Sequence, residues 1–91
     1  MNQFIELKSK NILVTGGAGF IGSNLCEFLL DLGTNVTCLD NFSTGYKNNI
    51  KDFFGNTNFK LIEGDIRDYS DCLKSTKNID YVLHQAALGS V

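Results

Sequence analysis

What this sequence lacks excludes several classes of protein. Its 8 Lys and Arg residues nearly balance its 10 Asp and Glu residues, and the basic side chains form no cluster that would attract nucleic acid phosphates. No apolar run approaches the roughly 20 residues that a membrane-spanning helix needs. The N-terminus lacks the basic and apolar regions of a signal peptide, so we expect a cytoplasmic protein. Neither nucleic acid nor a membrane is therefore expected as a partner.

Residues that bind metals or form disulfides are also scarce. The three cysteines, Cys26, Cys38 and Cys72, are odd in number and form no C-x-x-C pair. This spacing fits neither a disulfide framework nor a zinc site, so we predict buried thiols in a reducing compartment and no metal site. The single histidine, His84, has no Cys or acidic neighbour, which favours a hydrogen-bonded core side chain over a metal ligand.

Apolar residues, by contrast, make up 43% of the chain, which is too high a fraction for an intrinsically disordered protein. A chain of 91 residues holds one domain at most. A domain near this size buries only about 60–65% of the surface of its unfolded chain, which leaves a thin margin of stability.

The apolar patterns predict strands that alternate with helices. Four β-rich runs lie at residues 10–15, 35–40, 59–63 and 81–85. The second run is nearly continuous in apolar or small residues, which is typical of strands covered on both faces. The resulting βαβαβαβ order predicts an α/β fold, a Rossmann-type doubly wound parallel sheet of about four strands.

Helical periodicity is clear only between the first two strands. There the buried face of a helix is predicted to carry Ile21, Leu25, Phe28, Leu29 and Leu32. Gly33 would end this helix in a left-handed conformation. Weaker helical segments are predicted around residues 47–54 and within 66–77, the latter with Cys72 and Leu73 inward. Four phenylalanines are interpreted as core side chains: Phe28, Phe53, Phe54 and Phe59.

A glycine-rich turn follows the first strand, with glycines at positions 16, 17, 19 and 22. The early glycines allow a tight turn and a close approach of the backbone to a pyrophosphate, and Gly22 allows the helix to pack close to the strand. The helix N-terminus presents unpaired N–H groups to the phosphates. The alternative is an ordinary glycine-rich turn that binds no nucleotide.

An acidic residue, Asp40, ends the second strand eighteen residues after Gly22. A carboxylate in this position accepts hydrogen bonds from the hydroxyls of the adenosine ribose and repels a 2′-phosphate. Asn41 and Phe42, and not an arginine, come directly after Asp40, so the sequence favours NAD over NADP.

The third and fourth strands also end in residues that could contact a nucleotide. Asp65 could bind an adenine amino group with Ile66 against the ring, or it could equally cap the following turn. Gln85 precedes Ala86 and Ala87, whose small side chains leave room for a cofactor. In a parallel sheet all these strand ends lie at one edge.

These motifs resemble the extended short-chain dehydrogenase/reductase family, in its branch of NAD-dependent sugar-nucleotide epimerases and dehydratases. The resemblance covers residues 11–91 and is carried by residues 15–22, 40–41, 64–66 and 84–87. More narrowly, residues 39–45 and 81–91 are similar to those of UDP-N-acetylglucosamine 4-epimerases.

The resemblance implies an NAD site and the beginning of a site for a UDP-sugar. The implied cofactor contacts are Gly16, Gly19, Phe20, Ile21, Gly22, Asp40, Asn41, Ser43, Thr44, Gly45, Asp65, Ile66, Gln85, Ala86 and Ala87. Ser90 and Val91 would begin the loop that approaches the sugar nucleotide. Residues 11–91 would be the N-terminal part of the NAD-binding domain, and residues 1–10 an arm before it. The full-length protein is expected to form a homodimer.

The family's chemistry is reversible oxidation of the sugar at C4 through a 4-keto intermediate, with a Tyr-x-x-x-Lys pair as catalyst. Tyr46, Tyr69 and Tyr81 are not followed by lysine at the fourth position, so no catalytic residue is assigned and the 91 residues alone are expected to be inactive. A 4,6-dehydratase, a decarboxylase or a non-enzymatic dinucleotide-binding module are the alternatives.

Overall fold

The computed structural model describes residues 8–42 and 47–85. Its strands and helices are β1 (Asn11–Thr15), α1 (Phe20–Asp31), β2 (Asn35–Asp40), β3 (Phe59–Glu63), α2 (Tyr69–Thr76) and β4 (Tyr81–His84). Two short 3-10 helices, Lys47–Asn49 and Lys51–Phe53, lie between β2 and β3. All four predicted strands are present, β1 and β4 each one residue shorter than expected. Within the described ranges, no helix has the length and apolar character to cross a membrane.

The four strands form one parallel sheet in the order β3-β2-β1-β4, which confirms the predicted fold class. The chain runs outward from β1 through β2 to β3, then crosses back to place β4 on the other side of β1. The direction of winding therefore reverses between β1 and β4. In open α/β sheets a ligand crevice lies at such a reversal, outside the carboxyl ends of the strands.

The core lies on both faces of the sheet because successive strand residues point to opposite faces. On one face Ile12, Val14 and Val36 are buried with Cys26 and Leu29 of α1. On the other face a second cluster contains Leu13, Leu39 and Ile62. The central strand β1 is therefore covered on both sides, which explains its continuous apolar run.

The buried face of α1 is not the predicted one. Ile21 is 64% exposed and Phe28 45% exposed, and Leu29 alone of the predicted face is fully buried. The buried residues of the helix are Gly22, Ser23, Cys26 and Leu29. The helix starts so close to the end of β1 that small residues must face the sheet. The predicted helix end is confirmed, since Gly33 has a φ of 86°.

The two other helical predictions are confirmed in part. The weak helical segment predicted around residues 47–54 forms two 3-10 helices. In α2, Leu73 is 55% exposed, Cys72 is partly buried and Ser75 is the buried residue. The cap fixes where α2 begins, because the Asp68 side chain accepts a hydrogen bond from the Asp71 N–H at 3.1 Å. The Asp71 carboxylate accepts the Asp65 N–H at 2.9 Å, and this bond turns the side of α2 that carries Asp71 toward the turn after β3.

The aromatic core is smaller than predicted. Phe53 and Phe59 pack with their ring centroids 5.4 Å apart and are partly buried. Phe28 and Phe54 are exposed. Tyr81 and Val82 of β4 are half exposed, because β1 is the one strand neighbour of β4 in the described part of the chain.

Candidate functional site

The glycine turn connects β1 to α1 at the reversal of the sheet. Gly16 has a φ of 72°, a conformation that favours glycine, and its N–H donates to the carbonyl of Leu39 at 2.8 Å. A Cβ atom on Gly22 would overlap the carbonyl oxygen of Gly16 and lie 2.8 Å from the Cα of Gly17. The close packing predicted for Gly22 is therefore present, and it is against the turn that directly follows β1.

Two buried thiols lie beneath this turn. A Cβ on Gly17 would overlap the Sγ of Cys38 and lie 3.2 Å from the Sγ of Cys26. The hydrogen bond between the two thiols, together with burial, raises the pKa of Cys38 far above its usual range. Cys38 is thus a neutral thiol, and both cysteines are free and buried beneath the turn, as predicted.

The N-terminus of α1 is open toward the crevice. Its first intrahelical hydrogen bond runs from the Ser23 N–H to the Gly19 carbonyl at 2.8 Å. No side chain caps the helix, its first turn carries no acidic residue, and the amides of Phe20 and Ile21 have no acceptor among residues 8–42 and 47–85. These amides and the helix dipole favour an anion at this point.

The space around Gly19 fits the same ligand class. A Cβ atom there would meet nothing closer than the Gly16 carbonyl oxygen, at 3.4 Å. Packing within the described chain therefore does not by itself require a glycine at position 19. A ligand that approaches the backbone closely would require one, because a side chain would occupy the ligand's position.

Asp40 lies directly beside the turn. It is 8% exposed, and its Oδ2 accepts the Ala18 N–H at 2.9 Å. Its Oδ1 accepts the Phe42 N–H at 2.7 Å, and this bond holds the first residues of the loop after β2. The structure thus brings together the acid and the glycine turn that the sequence predicted to share a site.

A second contact to Ala18 was not predicted from the sequence. The Asn49 side-chain amide donates to the Ala18 carbonyl at 2.7 Å, across 31 positions of sequence. The next residue, Ile50, is fully buried in a cluster with Ala18 and Cys38. The sequence gives one indication of this contact: Ile50 is an isolated apolar residue within a polar stretch. Such a residue is expected to be buried, but the sequence does not show which distant residues it packs against.

Asp65 follows β3 and is held by its own turn. Its carboxylate accepts bonds from Arg67 Nε at 3.0 Å and Nη2 at 2.6 Å, and from the Arg67 N–H at 2.8 Å. The Arg67 side chain is the main cause that lowers the pKa of Asp65, and the Asn41 side chain also hydrogen-bonds to this carboxylate. Asp65 therefore caps its own turn, which is one of the two roles predicted for it. Its carboxylate also lies beside the Asn41 side chain.

Of the remaining predicted contact residues, some lie within the described ranges and others lie outside them. Ile66 is partly buried and packs against the cluster of Leu13, Leu39 and Ile62. Gln85 is exposed, and its N–H donates to the Thr15 carbonyl at 2.9 Å. Seven predicted residues lie outside the described ranges, namely Ser43, Thr44, Gly45, Ala86, Ala87, Ser90 and Val91.

His84 is not the core side chain that was expected. It is exposed, and its Nδ1 shares a hydrogen bond with the Thr15 hydroxyl at 2.7 Å. The same hydroxyl accepts the Gln85 N–H at 3.1 Å. The histidine is thus hydrogen-bonded, as predicted, but it joins the ends of β1 and β4 at the edge of the sheet.

Comparison with known sequences identifies relatives over much of the chain. A putative UDP-glucose 4-epimerase of Methanocaldococcus jannaschii is 46% identical over 77 residues, covering 84% of this chain and 24% of the relative. UDP-glucuronic acid decarboxylase 1 of Danio rerio is 49% identical over 61 residues, covering 67% of this chain and 15% of the relative. The chain thus spans a quarter or less of the length of these relatives.

Solved structures match the fold closely. An epimerase of Methanothermobacter thermautotrophicus superposes with a TM-score of 0.85 at 42% identity, over 93% of this chain and 25% of that protein. The Bordetella bronchiseptica enzyme WbmF, solved with NAD+ and UDP, superposes with a TM-score of 0.81 at 36% identity, over 92% of this chain and 25% of that protein.

The family profile that matches the chain describes the NAD dependent epimerase/dehydratase family and covers residues 12–91. The match includes the glycine turn, Asp40, the turn after β3 and the end of β4. Sequence, fold and neighbours agree, and the chain belongs to the NAD-dependent epimerase/dehydratase family, within the extended short-chain dehydrogenases/reductases, whose cofactor is NAD.

Proposed function

We propose that this chain is the NAD-binding segment of a sugar-nucleotide 4-epimerase that acts on a UDP-sugar, UDP-N-acetylglucosamine in particular. One observation carries the proposal: the open N-terminus of α1 and the Asp40 carboxylate lie at the same glycine turn, where the winding of the sheet reverses. A positive helix end beside a buried acid suits a ligand that joins a diphosphate to a ribose.

The residues present fit the diphosphate and the ribose of NAD. The amides of Phe20 and Ile21 would bind the diphosphate, and the glycines at 16, 19 and 22 would let it approach the backbone. Asp40 accepts two backbone N–H groups, and an ionised carboxylate has about four acceptor positions, so it keeps capacity for ribose hydroxyls.

The proposed adenine and nicotinamide contacts lie farther along the sheet edge. Asn41, Asp65 and Ile66 would contact the adenosine together with Ser43, Thr44 and Gly45. Gln85, Ala86 and Ala87 would line the nicotinamide ribose, and Ser90 and Val91 would approach the sugar nucleotide. The three bonds from Arg67 and the bond from Asn41 fill the roughly four acceptor positions of the Asp65 carboxylate, so binding of the adenine amino group would require it to release one of these donors.

When bound, NAD supplies the acceptor for a hydride from C4 of the sugar. The residues of this chain bind and orient the cofactor, and none of them is assigned to proton transfer. We propose that the 91 residues are inactive without further sequence that carries the Tyr-x-x-x-Lys pair and the sugar-binding domain. We also propose that the full-length protein is a cytoplasmic homodimer in polysaccharide biosynthesis.

A sugar-nucleotide decarboxylase is the second candidate, favoured by the 49% identity to the Danio rerio enzyme. Both candidates use the same cofactor site and differ in residues that act on the sugar. A non-enzymatic dinucleotide-binding module and a 4,6-dehydratase are the remaining alternatives.

Product analysis of the full-length protein separates these candidates. The protein is incubated with NAD+ and either UDP-N-acetylglucosamine or UDP-glucuronic acid, and the products are identified by NMR. We expect UDP-N-acetylgalactosamine from the first substrate and no reaction with the second. Release of CO2 from UDP-glucuronic acid would show a decarboxylase, a 4-keto-6-deoxy product a dehydratase, and NAD binding without turnover a binding module.

A further inference from the structure

We propose that Asn49 is a positioning residue for the diphosphate-binding turn. Its side chain fixes the peptide that joins Ala18 to Gly19, and so orients the amides that follow at the start of α1. The inference rests on the proposed function, because it takes the diphosphate of the cofactor as the ligand of those amides.

The hydrogen bonds around Ala18 fix two successive peptides. The carbonyl of the Ala18–Gly19 peptide accepts the Asn49 amide at 2.7 Å, and the N–H of the same peptide donates to the Gly16 carbonyl at 3.1 Å. The N–H of the preceding peptide, between Gly17 and Ala18, donates to Asp40 at 2.9 Å. Both peptides that flank Ala18 therefore have defined orientations.

This support matters because the turn has few side chains of its own. Glycine loses more conformational freedom on folding than any other residue, so a turn built from glycines is held mainly by its hydrogen bonds. Among residues 8–42 and 47–85, Asn49 is the one residue whose side chain donates a hydrogen bond to the Ala18 carbonyl. Without it, a buried carbonyl would lose its partner.

Asn49 is itself held in place by the residue that follows it. Ile50 is fully buried between Ala18 and Cys38, and its N–H donates to the Lys47 carbonyl at 3.0 Å. The buried isoleucine anchors the 3-10 segment on the turn, and the asparagine amide then points at one carbonyl. The contact through which Asn49 acts is therefore the one with the turn.

Asn48 offers a matched control. It is exposed, it lies one residue away, and the described residues provide no hydrogen-bond partner for its side chain. Asn49→Asp and Asn48→Asp introduce the same charge at neighbouring positions. Only the first removes the donor to Ala18 and replaces it with an acceptor that repels the carbonyl. Asn49→Ala removes the donor without adding charge.

The experiment measures affinities for ADP-ribose and for adenosine in the full-length, nucleotide-free protein. ADP-ribose is titrated by calorimetry and adenosine by NMR, at a temperature below the melting point of every variant. We expect Asn49→Asp to bind ADP-ribose about tenfold more weakly than Asn48→Asp, with adenosine affinity changed less than about twofold. Asn49→Ala should show a smaller loss in the same direction.

Three outcomes have distinct meanings. Equal ADP-ribose affinities in the two Asp variants would overturn the inference. So would a parallel loss of ADP-ribose and adenosine affinity, because that pattern indicates a general structural role. If the unchanged protein binds no ADP-ribose, the proposed function fails, and the inference that depends on it fails as well.

Discussion

At the scale of single residues, Asp40 joins three parts of the candidate site. Its carboxylate binds the glycine turn through Ala18 and the loop after β2 through Phe42, and it lies at the end of a strand that points into the crevice. The same group is proposed to bind the cofactor ribose. Asp40 therefore contributes both to the stability of the unliganded protein and to cofactor affinity.

Replacing this residue tests both contributions. Asp40→Ala leaves the N–H groups of Ala18 and Phe42 without their acceptor, so the free energy of unfolding measured without cofactor should fall by about 1–3 kcal/mol. NAD+ binding, measured by calorimetry, should weaken by about 1–3 kcal/mol. Asp52→Ala removes an exposed carboxylate of equal charge and should change neither quantity measurably. An Asp40→Ala protein with unchanged NAD+ affinity would contradict the ribose contact.

Arg67 controls the charge of Asp65. Because the guanidinium lowers the pKa of this carboxyl, Asp65 stays ionised at pH values where a free aspartate, with a pKa of about 3.9, takes up a proton. The stabilisation from this pair is present above about pH 4 and is lost as the pH falls through the lowered pKa.

An NMR titration of the Asp65 carboxyl checks this effect. In Arg67→Gln we expect the pKa of Asp65 to rise toward the ordinary value, because the main cause of its lowering is removed. Lys74→Gln serves as the control, since Lys74 lies near Asp71 and makes no contact with Asp65. A pKa of Asp65 that is the same with and without Arg67 would refute the assignment.

At the scale of elements, the distance between α1 and β1 determines much of the local structure. The strands were predicted well because β-rich runs bounded by polar residues are readable along the chain. The buried face of α1 was predicted wrongly because periodicity favoured large apolar side chains, such as Ile21 and Phe28. The contact of Gly22 with the turn brings the first part of the helix so close to the sheet that small residues face it there, and a large side chain, Leu29, is buried only farther along the helix.

Gly22→Ala tests this account of the helix. The added methyl group would overlap the Gly16 carbonyl, so we expect the free energy of unfolding by urea to fall by about 1–3 kcal/mol or more. Gly55→Ala is the matched control, because a Cβ atom there meets nothing within 4 Å. It should be neutral or stabilising by up to about 1 kcal/mol. Similar losses in both variants would show that close helix packing is not the cause.

At the scale of the whole molecule, the candidate site depends on the strand order. Asp40 lies 18 positions after Gly22 and 25 positions before Asp65, yet the parallel sheet places the ends of β1, β2 and β3 side by side. The sequence predicted this meeting of strand ends because parallel strands share one carboxyl edge. It could not predict the contact of Asn49 with Ala18, which depends on how an irregular segment folds back onto the turn.

The central claim is that this edge binds the adenosine diphosphate part of NAD, and a crystal structure of the full-length protein with NAD+ tests it most directly. The distances to measure run from the diphosphate oxygens to the amide nitrogens of Phe20 and Ile21, and from the ribose hydroxyls to the Asp40 carboxylate. We predict hydrogen-bond distances of about 3 Å for both sets. A diphosphate bound away from the N-terminus of α1, or a ribose that does not contact Asp40, would contradict the account.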